Sequence, residues 1–186
     1  MTRSASVHER ALGNLWTCPK CGRKLVGRNM AHSCSSATVA QFLRRAGARE
    51  RALYAHFERM IAACGPYHVS PAKTRVAFMA RVRFANVNSI GPRGMVVTLA
   101  LTKPLASPRF EKVEEVVPGW WVHRLRITAL GELDRELQTW LRRSYRLMGM
   151  QERLRVQPGR ARGARARAGT GNGSAGRSRA PSRSRG

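Results

Sequence analysis

Acidic residues are what this 186-residue chain has least of: ten Asp and Glu stand against 35 Lys and Arg, and Asp134 is its sole aspartate. That scarcity excludes an acidic calcium buffer and an active site assembled from many carboxylates. Glu114 and Glu115 are adjacent, so on a strand they face opposite sides and cannot form a dyad. Lysine is scarce too, five against thirty arginines, a bias that fits a GC-rich genome and makes arginine identity at any one position weak evidence. Aromatics are lean at 6%, yet a 42% apolar fraction allows one compact core. Long apolar runs are missing. The longest, Met95 to Leu101, is far short of the ~20 residues that cross a bilayer, and "MTRSASVHERALG" offers no apolar leader. The expectation is a soluble, unexported, cytoplasmic protein with no membrane partner. The chain also lacks a Walker A loop, a Gly-rich dinucleotide turn, a His-Glu-x-x-His helix and a Gly-x-Ser-x-Gly elbow, so it leans away from enzymes.

What is present is positive charge. The net +25 makes polyanions, DNA or RNA, the leading expected partners. Composition breaks near residue 150, beyond which ten Arg and one Glu leave +9 on residues 151 to 186 and +16 on residues 1 to 150. The expected organisation is a flexible N-terminus (1–13), a zinc-binding segment (14–36), an α+β domain (37–149) and a disordered Arg/Gly/Ser-rich tail (150–186). The tail cannot bury enough surface to offset its ordering entropy.

Between these limits the hydrophobic period changes from helix to strand and back. "SSATVAQFLRRAG" reads as a short helix with Ser35 and Ser36 as cap candidates before Val39, Phe42 and Leu43. Leu53, Phe57, Met60, Ile61 and Cys64 then share one face of a second helix from Ala48, stopped by Gly65-Pro66, and Cys64 reads as core. In "KTRVAFMARVRFANV" apolar residues alternate from Val76 to Phe84, which predicts one half-buried strand. Gly91 to Gly94 predicts a turn into "MVVTLALTK", and Pro118-Gly119 separates "EKVEEVV" from "WWVHRLRIT". "GELDRELQTWLRRSYRLMG" closes the chain as a helix with Leu133, Leu137, Trp140, Leu141 and Met148 on one stripe, Thr128 as a possible cap and Gly149 as the stop. The expected fold class is α+β: an antiparallel meander of four or five strands with helices packed on one face, preceded by a small zinc ribbon or knuckle.

Cysteine chemistry is concentrated in one stretch. Cys18-x-x-Cys21 is followed ten residues later by His32-x-Cys34, a set of four ligands that suits tetrahedral zinc. Other readings of the thiols are a reduced pair beside an unrelated Cys34, or a redox disulfide. With four protein ligands the zinc would be structural, because no position is left open for water. So short a loop has little core of its own, so metal binding would supply its folding energy.

Several separated motifs, "WTCPKCGRKLVGRNMAHSC", "GPYHVSPAKTRVAF", "FANV", "PRFEKVEEV", the histidine inside "WWVHRLRI" and "ELDRELQTWLRRSY", resemble the bacterial domain of unknown function 5655 family in the arrangement that sets a zinc-binding segment ahead of the domain. The resemblance covers roughly residues 14 to 149. It implies a compact α+β domain and zinc ligands at Cys18, Cys21, His32 and Cys34, and no established activity. Related domains fused to nuclease-like regions favour a nucleic-acid context by analogy alone.

Three functions compete at this level. In the first, a non-catalytic nucleic-acid-binding or accessory protein, Arg75, Arg81, Arg83, Arg124 and Arg126 form a basic sheet face, joined by Lys73 and Arg93 at turns, that tracks a phosphate backbone. Trp120 is its stacking candidate, whereas Trp121 and Trp140 are in core phase. In the second, a small-ligand-binding domain or enzyme, Lys73, Arg109 and His123 line a pocket for a phosphate or carboxylate, against the alternative that His123 is a hydrogen-bonded interior histidine. The third is a protein-interaction adaptor. Asp134 reads as a helix-dipole or surface-pair residue.

Overall fold

The computed structural model of the chain describes residues 12–150, apart from 29, 31, 33 and 35. The expected flexible N-terminus, except for residues 12 and 13, and the expected tail from 151 onward lie outside the described residues, as does the cap candidate Ser35. A two-stranded ribbon comes first, β1 (Trp16–Thr17) paired antiparallel with β2 (Lys24–Leu25). The next element, α1 (Val39–Phe42), is capped not by Ser36 but by Thr38. Thr38 Oγ1 accepts the Gln41 N–H at 3.1 Å while the Gln41 side chain accepts the Thr38 N–H at 3.0 Å, a reciprocal box that satisfies two orphan donors. Helix α2 (Ala48–Ala62) buries Leu53, Tyr54, Phe57, Met60 and Ile61. Cys64 follows it, packed against the core as expected, with its thiol donating to the Met60 carbonyl at 3.3 Å.

The main sheet has six antiparallel strands, more than the four or five expected. They are β3 (His68–Pro71), β4 (Val76–Met79), β5 (Arg83–Gly91), β6 (Gly94–Leu101), β7 (Phe110–Val117) and β8 (Trp120–Ile127), in the order β3-β4-β5-β6-β8-β7. The overlooked β3 and the splitting of one expected strand account for the difference. The single strand expected across "KTRVAFMARVRFANV" is a hairpin, because the chain reverses at Ala80 to Val82, where the Ala80 N–H reaches the Val82 carbonyl at 3.1 Å. The reversal carries no Gly, Pro, Asn or Asp, and an antiparallel hairpin preserves the alternation on both arms, so the pattern reads straight through it. Nor is the sheet a simple meander. β8 lies between β6 and β7, and residues 102–109 therefore cross over to the outer edge before β7 begins. The turn at Gly91 to Gly94 is where it was expected. Gly94 takes φ 98°, and a Cβ there would stand 2.5 Å from the Ile127 carbonyl oxygen, so only glycine fits.

One face of this sheet carries the core. Val76 and Phe78 of β4, Val87 of β5, Met95, Val97 and Leu99 of β6, and Leu125 and Ile127 of β8 meet Phe57 and Ile61 of α2 and Leu137 and Leu141 of α3 (Arg135–Ser144). Asp134, not Thr128, caps α3, its carboxylate accepting the Leu137 N–H at 2.9 Å. Thr128 instead donates to Glu132 at 2.5 Å. After α3 the chain makes one π-helical turn, Tyr145–Gly149, whose last carbonyl accepts the N–H groups of Arg81 and Val82 at 2.8 and 2.9 Å and so holds the β4–β5 reversal. The ribbon sits on the opposite face, with Leu25, Trp16 and Met30 against Ala77 and Met79 of β4. Among the described residues no helix is long and apolar enough to cross a membrane.

Candidate metal centre and basic sheet face

The Cys-x-x-Cys turn is tight because Gly22 takes φ 70° and its N–H returns to the Cys18 carbonyl at 2.8 Å. That turn and the segment ending at Cys34 bring Cys18, Cys21, His32 and Cys34 together, with their ligand atoms all within 4.8 Å of one another. The Cys18 and Cys34 sulfurs are 3.8 Å apart, and Cys34 Sγ lies 3.4 Å from His32 Nε2. Sulfurs about 2.3 Å from a tetrahedral ion are separated by about 3.8 Å, the spacing of the Cys18 and Cys34 sulfurs. His32 Nδ1 donates to the Met30 carbonyl at 3.0 Å, which leaves Nε2 as the lone-pair donor and fixes the ring. Burial pushes the Cys18 thiol up, but hydrogen bonds from the Lys20 backbone, His32 and Cys21 outweigh it and bring the thiol down to about 6. It is thiolate-prone, as a metal ligand must be. All four residues were identified from sequence, and this Cys3His group can hold a metal ion.

The ribbon is also tied to the sheet by polar contacts. Arg23 donates to the Pro71 carbonyl at 2.5 Å, and His68 Nε2 is 3.0 Å from the Lys24 carbonyl. Beyond it, the same sheet face opens into a cavity lined by Arg75, Arg83 and Arg124. Three of the five expected face arginines therefore line one cavity. Arg126 stays on that face but is engaged by Glu111 at 2.7 Å, which also holds Arg124 at 3.3 Å. Arg81 does not join them. It lies on the β4–β5 reversal, with its guanidinium turned to the Leu12 carbonyl at 2.7 Å. Burial, followed by the charge of Arg75, lowers the proton affinity of Arg83. Sequence reasoning missed Lys112, Asn86, Asn88 and Thr98 in this lining. The alternation of Asn86 and Asn88 in "FANVN" was the available signal.

The expected pocket of Lys73, Arg109 and His123 is not formed. Lys73 is exposed in the β3–β4 turn at one edge of the sheet, whereas Arg109 precedes β7 at the other edge. Five strand spacings of about 4.8 Å separate those edges. Arg109 instead reaches Asp134 and Glu136 at 3.0 and 2.9 Å and the Glu132 carbonyl at 2.6 Å, and its guanidinium lies 5.2 Å from the Trp140 ring centre. His123 is fully buried, and its Nε2 accepts the Leu105 N–H at 2.9 Å. Burial lowers its proton affinity, and it is the interior histidine of the alternative reading. Trp120 packs on the core rather than standing free to stack. Residues 39–148 match the model of a family described as "Domain of unknown function (DUF5655)". No curated protein and no solved structure matches the chain.

Proposed function

Because the chain belongs to the domain of unknown function 5655 family, whose description assigns no activity, its role is read from its own residues, and we propose a zinc-stabilised, non-catalytic nucleic-acid-binding or accessory protein. Cys18, Cys21, His32 and Cys34 would hold structural Zn2+. Three thiolates and an imidazole are soft-to-borderline donors, and four protein ligands leave no site for a reacting water. Bound there, zinc would supply folding energy to a ribbon that buries little of its own. The observation that carries the binding reading is the sheet face beside the ribbon, where Arg75 and Arg83 have no acidic partner among the described residues. The surplus of +16 on residues 1 to 150 supports the same reading, with the Arg-rich segment beyond adding generic affinity. Cytoplasmic residence belongs to this reading, because a thiolate-bound metal suits a reducing compartment.

Fluorescence anisotropy with duplex DNA, single-stranded DNA and RNA, on the full chain and on residues 1–150 across a salt series, tests it. Both forms should bind, the shorter with a salt slope shallower by ~0.9 for each phosphate of duplex DNA that it no longer neutralises. Arg75→Ala and Arg83→Ala should weaken all sequences alike. No binding by residues 1–150 at low salt would remove the sheet face from the account. Metal content by mass spectrometry tests zinc directly, with one ion per chain expected.

A further inference from the structure

The cavity on the open sheet face has the chemistry of a small-molecule site. It encloses about 260 Å3, close to the ~300 Å3 at which ligand pockets begin. Its floor is polar, for Asn86 and Asn88 both donate to Thr98 Oγ1, at 3.0 and 3.5 Å. Asn86 Oδ1 is buried with no partner among the described residues, and buried acceptors in native proteins are nearly always matched by a donor. The cations divide into two sets. Lys112 is answered by Glu114, the one carboxylate in the lining, and Arg124 by Glu111, whereas Arg75 and Arg83 have no ion pair among the described residues. They stand close enough for the charge of Arg75 to disfavour the protonated form of Arg83. A monocarboxylate would neutralise one of this pair. A phosphomonoester, near −2 at neutral pH with three acceptor oxygens, neutralises both.

We propose that this cavity binds a phosphomonoester of about the size of a pentose phosphate, its phosphate held between Arg75 and Arg83 over the polar floor of Asn86, Asn88 and Thr98. This site shares Arg75 and Arg83 with the polymer-binding reading and differs from it in taking a discrete ligand in the cavity rather than a continuous backbone along the face.

The test is a titration of the isotope-labelled full-length protein, followed by amide and side-chain NMR signals at constant ionic strength. The probes are ribose 5-phosphate, adenosine monophosphate, inorganic phosphate and acetate. Signals of Asn86, Asn88 and Thr98 should shift saturably with ribose 5-phosphate, less with inorganic phosphate and not with acetate. Arg83→Gln should weaken binding about tenfold or more, as expected for removing one charge-assisted hydrogen bond. Arg75→Gln, at an exposed position that cannot disturb folding, should do the same. Adenosine monophosphate binding at the same signals supports the site and makes a nucleotide the occupant, whereas its exclusion supports a sugar phosphate. Equal shifts with acetate, or native affinity in Arg75→Gln, would overturn the proposal. Because Arg75 and Arg83 serve both readings, the two are separated by ligand: saturable shifts with ribose 5-phosphate support this site even where residues 1–150 bind no nucleic acid, and nucleic-acid binding without such shifts overturns it.

Discussion

Each of the four ligand side chains acts through what it touches. Cys34 is exposed and supports no apolar core, so Cys34→Ser removes a thiolate and little packing. It should cost the metal while leaving the sheet folded. Metal content should fall below one ion per chain, and the near-ultraviolet signal of Trp16, whose ring lies 6.4 Å from His32, should change. His123 gives a pH prediction of definite sign. Its Nε2 already accepts a hydrogen bond in a buried setting, so the folded protein protonates it below the ordinary value of about 6.5. The unfolded chain then binds the extra proton first, and stability falls as pH drops below about 6.5. His68, also lowered chiefly by burial, adds a slope of the same sign. In His123→Gln, whose amide oxygen can replace Nε2, urea midpoints between pH 7 and 5 should fall less steeply than in the native protein. Identical slopes would remove His123 from the acid response. At this scale the ligand set was legible because a metal imposes spacing on the sequence. Arg109 was not, since a guanidinium before a strand gives no sign that it faces Asp134 and Glu136 across the fold.

Among the elements, the junction of α3 with β5 and β6 depends on one hydroxyl. Ser144 Oγ is fully buried and lies 2.7 Å from the Phe84 carbonyl, 2.6 Å from the Ala100 carbonyl and 3.2 Å from the Ala100 N–H. It thus substitutes for a rung of the ladder at the end where these strands part. Ser144→Ala should cost about 1–3 kcal/mol, the penalty for leaving buried peptide groups unmatched, whereas Asp134→Ala, which removes the helix cap, should cost about 1 kcal/mol. Chemical denaturation of both variants checks the order. The second helix, the final helix and the Pro118-Gly119 turn were all readable, since period and punctuation agree there. β3 was overlooked because His68–Pro71 is too short to show a period and ends on a proline, which suits an edge strand. The β4–β5 reversal was hidden for the opposite reason, a period that continues through the bend.

Across the whole molecule the sheet separates two assemblies, helices and core on one side, ribbon and cavity on the other. α+β composition and helices on one face were foreseeable from patterning, because one face must be apolar to bury helices. The strand order was not, since alternation fixes which way a side chain points and says nothing of which strand is its neighbour. The division has a consequence for metal removal. The ribbon touches the sheet through the apolar contacts of Leu25, Trp16 and Met30, which lie outside the main core, and through the Arg23–Pro71 and His68–Lys24 contacts. Chelation should therefore release the ribbon while the helix-sheet core keeps its cooperative melt, which calorimetry with and without chelator resolves. Disappearance of the whole transition would show that the ribbon is part of one folding unit.

The crossover of residues 102–109 also sets a sequence of events in time. β7 and β8 are joined by a two-residue turn and form their hairpin locally, on the microsecond scale of such hairpins. β8 pairs with β6 across that long connection, and in the folded chain the Leu105 N–H of the connecting loop is bonded to His123. With docking of the hairpin on β6 as the limiting step, this bond is expected to form late. Replacing His123 by leucine should accordingly leave the refolding arm of the chevron nearly unchanged and raise the unfolding arm, so that the native protein's lifetime, rather than its speed of formation, is what this one imidazole governs.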